Sequence, residues 1–187
     1  MHTFNSPLIV LSAASGAGKT TIANILAHKY PEMEISISAT TRGIRPREID
    51  GKDYHFLSID EFQKHIRDDN FLEYEEVHGD YYGTLKDRVD DMLSRGKTVI
   101  FDIDVKGALS IKRIYSQAIL IFIKTPSLSE LKRRLKNRKS ESEDAIQKRL
   151  SRIDFEYEQA DKFDYIIIND KLEHAVEQIE NLVLLRS

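Results

Sequence analysis

The sequence contains no cysteine among its 187 residues. Disulfide bonds, thiol nucleophiles and cysteine-based zinc sites are therefore excluded. The longest apolar run, AILIFI at 118–123, is far shorter than the roughly 20 residues that cross a bilayer. No Lys or Arg precedes the first apolar run, so a secretory signal is not expected. Together these absences lead us to expect a cytoplasmic protein with no membrane partner.

The sequence also lacks an excess of charge of either sign. Its 28 Lys and Arg residues face 31 Asp and Glu residues, for a formal net charge of −3. No global basic field is present to collect nucleic acid or an anionic membrane surface, so any anion binding must be local. The content of 41% apolar and 32% charged residues is typical of one globular domain, and it leaves the oligomeric state open.

Five short apolar runs predict the strands of one sheet: LIVLSA, EISISAT, TVIFDID, AILIFIKT and YIIIND. Most are near-continuous rather than alternating, which is typical of strands buried on both faces. Amphipathic helical patterns separate many of these runs. Alternation of strand and helix predicts an α/β fold with a parallel sheet covered by helices on both sides.

Two segments interrupt that alternation. Residues 41–83 combine strand-like patterns and turn residues with a short helix that opens at the capping box Ser58 to Glu61. We interpret them as an inserted, partly antiparallel lobe. The arginine-rich stretch at 130–152, ELKRRLKNRKSESEDAIQKRLSR, predicts a polar helical hairpin that acts as a mobile lid.

The stretch IVLSAASGAGKTTIANIL, at 9–26, passes from a strand through a glycine-rich turn into a helix. It fits the P-loop pattern G-x-x-x-x-G-K-[ST], except that Ala13 replaces the first glycine. Glycines let the turn aim N–H groups at an anion, and the helix N-terminus adds partial positive charge. Lys19 adds a full charge, and the Thr20 hydroxyl is of the kind that ligates Mg²⁺ beside a triphosphate. The predicted ATP phosphate site comprises Ala13, Ala14, Ser15, Gly16, Ala17, Gly18, Lys19, Thr20 and Thr21.

A carboxylate at the end of a neighbouring strand should complete such a site. TVIFDID supplies Asp102 and Asp104, although either could simply end a strand and cap a helix. With a P-loop in the same chain, Asp102 is the better candidate to hold Mg²⁺ through its water shell. Chain length, the lid arginines and the lack of an N-K-x-D motif favour a small-molecule kinase over a motor or a GTPase.

The segment SISATTRGIRPREIDGKDYHF suggests the site of the phosphate acceptor. It holds Arg42, Arg45 and Arg47 within six residues, followed by Tyr54. Guanidinium forks bind phosphate bidentately, and a tyrosine hydroxyl adds a donor. Taken alone, the segment could equally be a solvated basic loop, and either tyrosine of GDYYGT could belong to the site or to the core.

Taken in order, these segments resemble the guanylate kinases over essentially the whole chain. The matching segments are SAASGAGKTT, SATTRGIRPRE, GKDYHFLSIDEF, FLEYEEVHGDYYGT, FDIDVKGA, RRLKNR with KRL, and IIIND. The resemblance implies a P-loop NTPase-type parallel sheet flanked by helices, a small mixed α/β nucleotide-binding lobe and a helical lid. It also implies ATP-dependent, Mg²⁺-assisted phosphorylation of GMP, and of dGMP, in purine metabolism. The single domain would divide into a core at about 1–40, 84–130 and 155–187, a GMP lobe at about 41–83 and a lid at about 131–154.

The resemblance also implies a role for particular residues. The GMP phosphate would be held by Arg42, Arg45, Tyr54 and Tyr82. The guanine would be surrounded by Ser38, Glu73, Thr84 and Asp104. Catalytic contacts to the transferring phosphate would come from Lys19, Arg45, Arg134, Arg138 and Arg149. Asn169 would lie near the adenine, and Glu48 and Asp102 would lie between the two nucleotides, near Mg²⁺ and the GMP phosphate.

Guanine chemistry supports one of these roles independently. Guanine presents two adjacent donors, N1–H and the exocyclic amine, and a carboxylate such as that of Glu73 can accept both. Adenine presents its N1 lone pair there, and such a buried mismatch can reject the wrong base by roughly 10⁴-fold or more. Taken alone, Glu73 would otherwise be interpreted as an exposed strand residue.

The chain departs from the usual family pattern at Ala14, Ile44, Arg47, Asn137 and Lys139. The lost glycines should stiffen the arginine loop and the lid. A second hypothesis is a guanylate kinase-like module that binds proteins and has lost catalysis, but such modules typically degrade the P-loop and lid. A third, a nucleic-acid patch at 132–152, is weakened by interrupting acidic residues and the lack of interleaved aromatics.

Overall fold

The chain is described by a computed structural model that covers residues 2–77, 79–136 and 143–185, with side chains except at 136 and 143–150. The strands of these residues are β1 (Leu8–Ala13), β2 (Met33–Ser36), β3 (Ala39–Thr40), β4 (His55–Phe56), β5 (Phe71–Val77), β6 (Asp80–Leu85), β7 (Thr98–Asp102), β8 (Ile119–Lys124) and β9 (Tyr165–Ile168). The α-helices are α1 (Lys19–Lys29), α2 (Ile59–Arg67), α3 (Lys86–Ser94), α4 (Val105–Ile114), α5 (Leu128–Lys136), α6 (Glu143–Gln159) and α7 (Leu172–Val183).

The central sheet has the strand order β2-β7-β1-β8-β9, and every neighbouring pair is parallel. Strand β1 lies in the middle and is buried along its whole length. The connection from β1 runs to β2 on one side, whereas the connection from β7 crosses β1 to reach β8 on the other side. Connections that diverge in this way leave a crevice at the carboxyl ends of the strands. The P-loop follows β1 at that crevice.

Alternating side chains of the central strands feed two hydrophobic clusters, one on each face of the sheet. One cluster takes Ile9 and Leu11 of β1 and packs them against α1 and α7. The other takes Leu8 and Val10 and packs them against α3 and α4. The parallel sheet covered on both faces confirms the predicted α/β class.

Two details of the strand prediction are wrong. The run EISISAT is not one strand, because β2 ends at Ser36 and β3 begins at Ala39 in a different sheet. Strand β9 is not buried on both faces, since it forms one edge of the central sheet and three of its four residues are exposed.

A second sheet, with the order β4-β3-β6-β5, is antiparallel except between β3 and β4. Helix α2 packs on it through Phe62, which stacks on Phe71 with ring centroids 4.4 Å apart. The predicted capping box is present, because Glu61 N–H donates to Ser58 Oγ and Ser58 N–H donates to the Glu61 carboxylate. The predicted mixed lobe is therefore confirmed as a separate sheet.

The two predicted arms of the lid are α5 and α6, and the segment 137–142 between them lies outside the described residues. The roots of both arms pack in the core, where Leu131, Leu135 and Ile153 join the cluster that contains the P-loop alanines. Among the helices described, none is both long and apolar enough to span a membrane.

Candidate active site

The P-loop connects β1 to α1 through two glycines with left-handed backbone. Gly16 has φ of 92° and Gly18 has φ of 98°, a region that disfavours side chains. Gly18 also has no room for one, because an added Cβ would lie 2.5 Å from Nδ2 of Asn169. The turn therefore depends on glycine for its conformation at both positions and for space at the second.

Lys19 extends from the first turn of α1 toward the end of β7. Its Nζ lies 2.7 Å from Oδ1 of Asp102 and donates to the backbone oxygen of Ile103 at 2.8 Å. Both side chains remain about one-fifth exposed at the crevice. The lysine is thus held where an incoming phosphate can compete for it.

Asn169 follows β9 and forms a hydrogen bond with the backbone of the P-loop. Its Nδ2 donates to the backbone oxygen of Ala17 at 2.8 Å, and its own backbone oxygen accepts from Arg134 Nη2 at 3.1 Å. Glu130 accepts from Arg134 Nε at 2.7 Å. The start of the lid, the end of β9 and the P-loop are therefore linked through hydrogen bonds.

The loop after β3 contains the Arg42 side chain in a bidentate pair. Its two terminal nitrogens donate to the carboxylate oxygens of Glu48 at 2.8 and 3.0 Å, and Glu48 also accepts from the backbone N–H of Arg45 at 2.8 Å. The hydrogen bonds from Arg42 hold the pKa of the Glu48 carboxyl below its usual range. Glu48 thus fixes the orientation of Arg42.

Two tyrosines complete this second pocket. The Arg42 guanidinium lies over the Tyr54 ring, 5.3 Å from its centroid, and the Tyr54 and Tyr82 centroids are 6.0 Å apart. Burial raises the pKa of the Tyr54 phenol, so its hydroxyl stays protonated and can donate at neutral pH. Tyr81 instead packs on Phe62 in the core of the lobe, so of the two tyrosines of GDYYGT it is Tyr82 that lies beside Tyr54.

Glu73 of β5 points into the space between the second sheet and α4. Its Oε1 accepts from the Thr84 hydroxyl at 2.6 Å, and a Cβ added to Gly107 would lie 2.8 Å from its Oε2. Burial raises the pKa of Glu73 to about 7, and the Asp104 carboxylate adds to this effect against the Thr84 hydrogen bond. A buried carboxyl with one free oxygen edge suits a ligand that brings its own donors.

Asp104 caps α4 beside that carboxyl. One oxygen accepts from the backbone N–H of Gly107 at 2.9 Å, and the other faces Arg152 Nη2 at 3.4 Å. Ser38, in the turn between β2 and β3, is partly buried, and its backbone oxygen accepts from His55 N–H at 2.9 Å. Asp104 and Glu73 therefore face each other across the same space.

The two pockets share one crevice. The Asp102 charge that pairs with Lys19 also contributes to the raised pKa of Tyr54, and the Lys19 charge partly lowers the pKa of Glu73. The contacts agree with this closeness, because Lys19 Nζ donates to the backbone oxygen of Ile103, the residue before Asp104. Asp104 in turn accepts from the N–H of Gly107, the glycine that lies against the Glu73 carboxylate. The arrangement suits transfer of a group between two anionic ligands.

Comparison with known proteins names this arrangement. The guanylate kinase family profile matches residues 5–185 of the chain. The chain belongs to the guanylate kinase family. Among its relatives, a guanylate kinase from Chlorobaculum tepidum is 47% identical over 92% of this chain and 89% of that protein. A guanylate kinase from Salinibacter ruber is 50% identical over 91% of this chain and 92% of that protein.

Solved structures agree with the family at the level of the fold. The crystal structure of guanylate kinase from Anaplasma phagocytophilum superposes with a TM-score of 0.76 at 30% identity, covering 94% of this chain and 82% of that one. A shikimate kinase from Bacteroides thetaiotaomicron has a TM-score of 0.50 at 16% identity, over 93% of this chain and 96% of that one. The second match shows only a shared fold.

Of the predicted site residues, the structure pairs Lys19 with Asp102, Arg42 with Glu48 and Glu73 with Thr84. Arg45 is exposed, and its backbone N–H donates to Glu48. Arg138 lies outside the described residues, as does the side chain of Arg149, although helix α6 includes its backbone. Thr20 and Thr21 are exposed on the first turn of α1. Arg47 has φ of 78°, so an arginine adopts the left-handed conformation that favours glycine.

Sequence reasoning missed three residues at the crevice. Gly107 provides the space for the Glu73 carboxylate, and Arg152 faces Asp104. Glu156 is buried beside the P-loop, where the backbone N–H of Ser15 lowers the pKa of its carboxyl against the larger effect of burial. The only signal in the sequence was the four-residue spacing of Arg152 and Glu156, which puts both on one face of a helix.

Proposed function

We propose that the chain transfers the γ-phosphoryl group of ATP to GMP, and to dGMP, with the nucleotides bound on opposite sides of this crevice. A phosphate oxygen of GMP attacks the γ-phosphorus while the bond to the β–γ bridging oxygen breaks, giving GDP and ADP. The observation that carries the proposal is the short chain of contacts from Lys19 to the start of α4 and on to Glu73, because it joins a triphosphate site to a guanine-reading carboxyl. Family membership supports the same reaction.

On the ATP side, backbone N–H groups of residues 13–21 bind the phosphates. Lys19 leaves its ion pair with Asp102 to neutralise charge that develops on the transferring phosphate. Asn169 holds the P-loop and contributes to the adenine end of the site. These residues supply positioning and charge, which are the main requirements of phosphoryl transfer.

On the GMP side, the phosphate binds Arg42, Arg45, Tyr54 and Tyr82. The pair between Arg42 and Glu48 orients the guanidinium before GMP arrives, so less side-chain entropy is lost on binding. Glu48 thus contributes to the acceptor pocket indirectly, by orienting Arg42.

The guanine is read by Glu73, Asp104, Thr84 and Ser38. Glu73 accepts N1–H and the exocyclic amine when ionised, and its existing bond from Thr84 fixes the carboxylate plane. In an adenine complex the same carboxylate would face a lone pair, which is the basis of base discrimination.

Magnesium enters with ATP in this proposal. The described residues hold no cluster of three or more histidine or acidic side chains that could bind a metal alone. The Thr20 hydroxyl and Asp102 carboxylate nevertheless fit a Mg²⁺ ion that takes most of its ligands from water and phosphates. When bound, the ion neutralises charge on the β- and γ-phosphates.

The remaining assignments concern the GMP lobe and the lid. We place the GMP lobe at about 41–83 and the lid at about 131–154, within a single domain in the cytoplasm. Arg134, Arg138 and Arg149 approach the transferring phosphate when the lid closes, and closure excludes water. The alternative of an inactive protein-binding module is not favoured, because Lys19, Asp102 and the acceptor pocket are all present.

The direct test is ADP release from Mg-ATP in the presence of GMP, dGMP, AMP, CMP or UMP. We expect ADP release with GMP and dGMP only. Equal rates with AMP would overturn the guanine assignment, and no release with any acceptor would overturn the proposed reaction. The Glu73→Gln variant serves as the matched control, since it should lose base preference while it retains ATP binding.

A further inference from the structure

A four-charge cluster joins α6 to the guanine pocket. It consists of Glu75 on β5, Asp104 and Lys106 at the start of α4, and Arg152 on α6. Arg152 Nη2 lies 3.4 Å from Asp104 Oδ2 and 3.9 Å from Glu75 Oε1, and its side chain is 26% exposed. A single guanidinium therefore faces one carboxylate from the second sheet and one from the start of α4.

The other basic residue of the cluster strengthens the link to α6. Lys106 Nζ donates to Glu75 Oε1 at 2.5 Å and lies 5.8 Å from the ring centroid of Phe155. Burial raises the pKa of the Glu75 carboxyl, and the adjacent Asp104 carboxyl raises it further. The two acidic groups are thus close together, and the cations on either side are what keeps this arrangement favourable.

One helical turn further along α6, Glu156 reaches the other nucleotide site. Its residue is 7% exposed, and the neighbouring Ile153 of α6 packs in the same cluster as Ala14 and Ala17 of the P-loop. The backbone N–H of Ser15 lowers the pKa of the Glu156 carboxyl against the larger effect of burial. The charges of Arg152 and Lys19 both act on it. Residues four apart lie on one helix face, so this face of α6 contacts the surroundings of both proposed nucleotide sites.

We propose that Arg152 is a positioning residue that couples the two nucleotide sites through α6. At one end it holds Asp104 and Glu75 at the guanine pocket, and at the other end of the same helical turn Glu156 holds the P-loop. Guanine that donates to Asp104 competes with Arg152 for that carboxylate and shifts the balance of contacts on α6. The inference rests on the proposed function, because it takes Asp104 as a guanine ligand.

The test is the coupling between ligands rather than either affinity alone. Calorimetry gives the affinity of the magnesium complex of a non-hydrolysable ATP analogue with and without GMP, for the wild type and for Arg152→Gln. We expect each ligand to tighten the other at least about 5-fold in the wild type, which is the usual lower range of such coupling, and the factor to fall toward 1 in the variant. A purely structural role would weaken both affinities and leave their ratio unchanged.

Three further variants make the result decisive. Arg152→Lys should retain only part of the coupling. The ammonium keeps the positive charge, but it cannot reach both carboxylates as the planar guanidinium does. Glu75→Gln removes a partner instead of the arginine and should also lower the factor, so it decides the matter if Arg152→Gln does not fold. Arg95→Gln is the matched control, since Arg95 also pairs with two carboxylates, those of Glu34 and Asp91, outside the cluster.

Two outcomes separate the inference from the function on which it rests. If the wild type phosphorylates GMP but Arg152→Gln keeps the wild-type coupling factor, or changes it no more than Arg95→Gln does, the coupling role is overturned alone. If the wild type neither binds nor phosphorylates GMP, the proposed function fails first. A wild-type factor of 1 with normal catalysis also overturns the coupling role.

Discussion

Among single residues, Glu73 is a carboxyl whose environment departs far from ordinary carboxyl chemistry. Burial raises its pKa to about 7, whereas its ordinary value is 4.5. A protonated Glu73 cannot accept both guanine donors, so GMP binding must favour the ionised form. In the proposed function, Glu73 therefore links base recognition to pH in the physiological range.

We predict that kcat/KM for GMP falls by roughly tenfold as the pH is lowered from 8 to 6, because Glu73 becomes protonated. Initial rates at saturating Mg-ATP measure this profile. Glu73→Gln should show a lower but nearly flat profile, which also corrects for ionisation of the GMP phosphate itself. A wild-type slope that persists in the variant would count against the assignment.

The same residue should affect stability with the opposite sign. Its folded pKa lies above its unfolded value, so its contribution to folding is fully present below about pH 4.5 and is lost as the pH rises through about 7. Urea unfolding should therefore show Glu73→Gln losing less stability than the wild type between pH 5 and 8. The difference should be on the order of 1–3 kcal/mol. Glu156, whose pKa burial also raises to about 7, leaves a remaining slope in the variant.

The prediction for Lys19 concerns the rate of catalysis. Lys19→Ala should lower kcat by about 10²–10³-fold, because it removes an oriented charge from the transferring phosphate. Steady-state rates with GMP measure the loss. Lys29→Ala, which removes an exposed lysine paired with Glu180 at the other end of α1, is the control and should keep wild-type kcat. A Lys19→Ala enzyme within tenfold of the wild type would contradict the role.

At the scale of elements, the site is made where the ends of parallel strands meet helix N-termini. Strands β1 and β7 are paired with Leu11 opposite Asp102, so Lys19 at the start of α1 reaches the end of β7. Helix α4 begins directly after, capped by Asp104. The second sheet adds Glu73 over the first turn of α4, which requires a residue without a side chain at that point.

Gly107→Ala tests this close approach of β5 to α4. The added Cβ would lie 2.8 Å from Glu73 Oε2, so the carboxylate must move from its position beside Asp104. We expect KM for GMP to rise about tenfold or more, while ATP affinity changes less than twofold. Alanine is the stronger helix former, so thermal stability should not fall enough to explain the effect. Equal loss of GMP and ATP affinity would indicate general misfolding instead.

At the scale of the whole molecule, the sequence predicts the layers better than their edges. The near-continuous run of β1 predicts a strand buried on both faces, and it is. The similar run of β9 predicts the same burial, but three of its four residues are exposed. No local pattern distinguishes a central strand from an edge strand. The split of EISISAT between two sheets is equally invisible, since either arrangement has the same alternation.

The site divides in the same way. The P-loop and the arginine loop are each formed by one continuous segment of the chain, so the sequence of that segment alone indicates its chemistry. The roles of Arg152 and Glu156 depend on the packing of α6 against the P-loop and α4. The sequence does not show this packing, because a charged residue on a polar helix ordinarily faces solvent. The need for glycine at position 107 is likewise not visible in the sequence, because it arises from the Glu73 carboxylate that lies against it in the fold.

The central claim is that a triphosphate and a guanine nucleotide bind face to face in one crevice. Inhibition by adenosine and guanosine joined through five phosphates tests it most directly, because one molecule can fill both sites only if they face each other. We predict competitive inhibition against ATP and against GMP, with tighter binding than either nucleotide alone. Competition against only one substrate, or binding no tighter than that of ATP, would contradict the account.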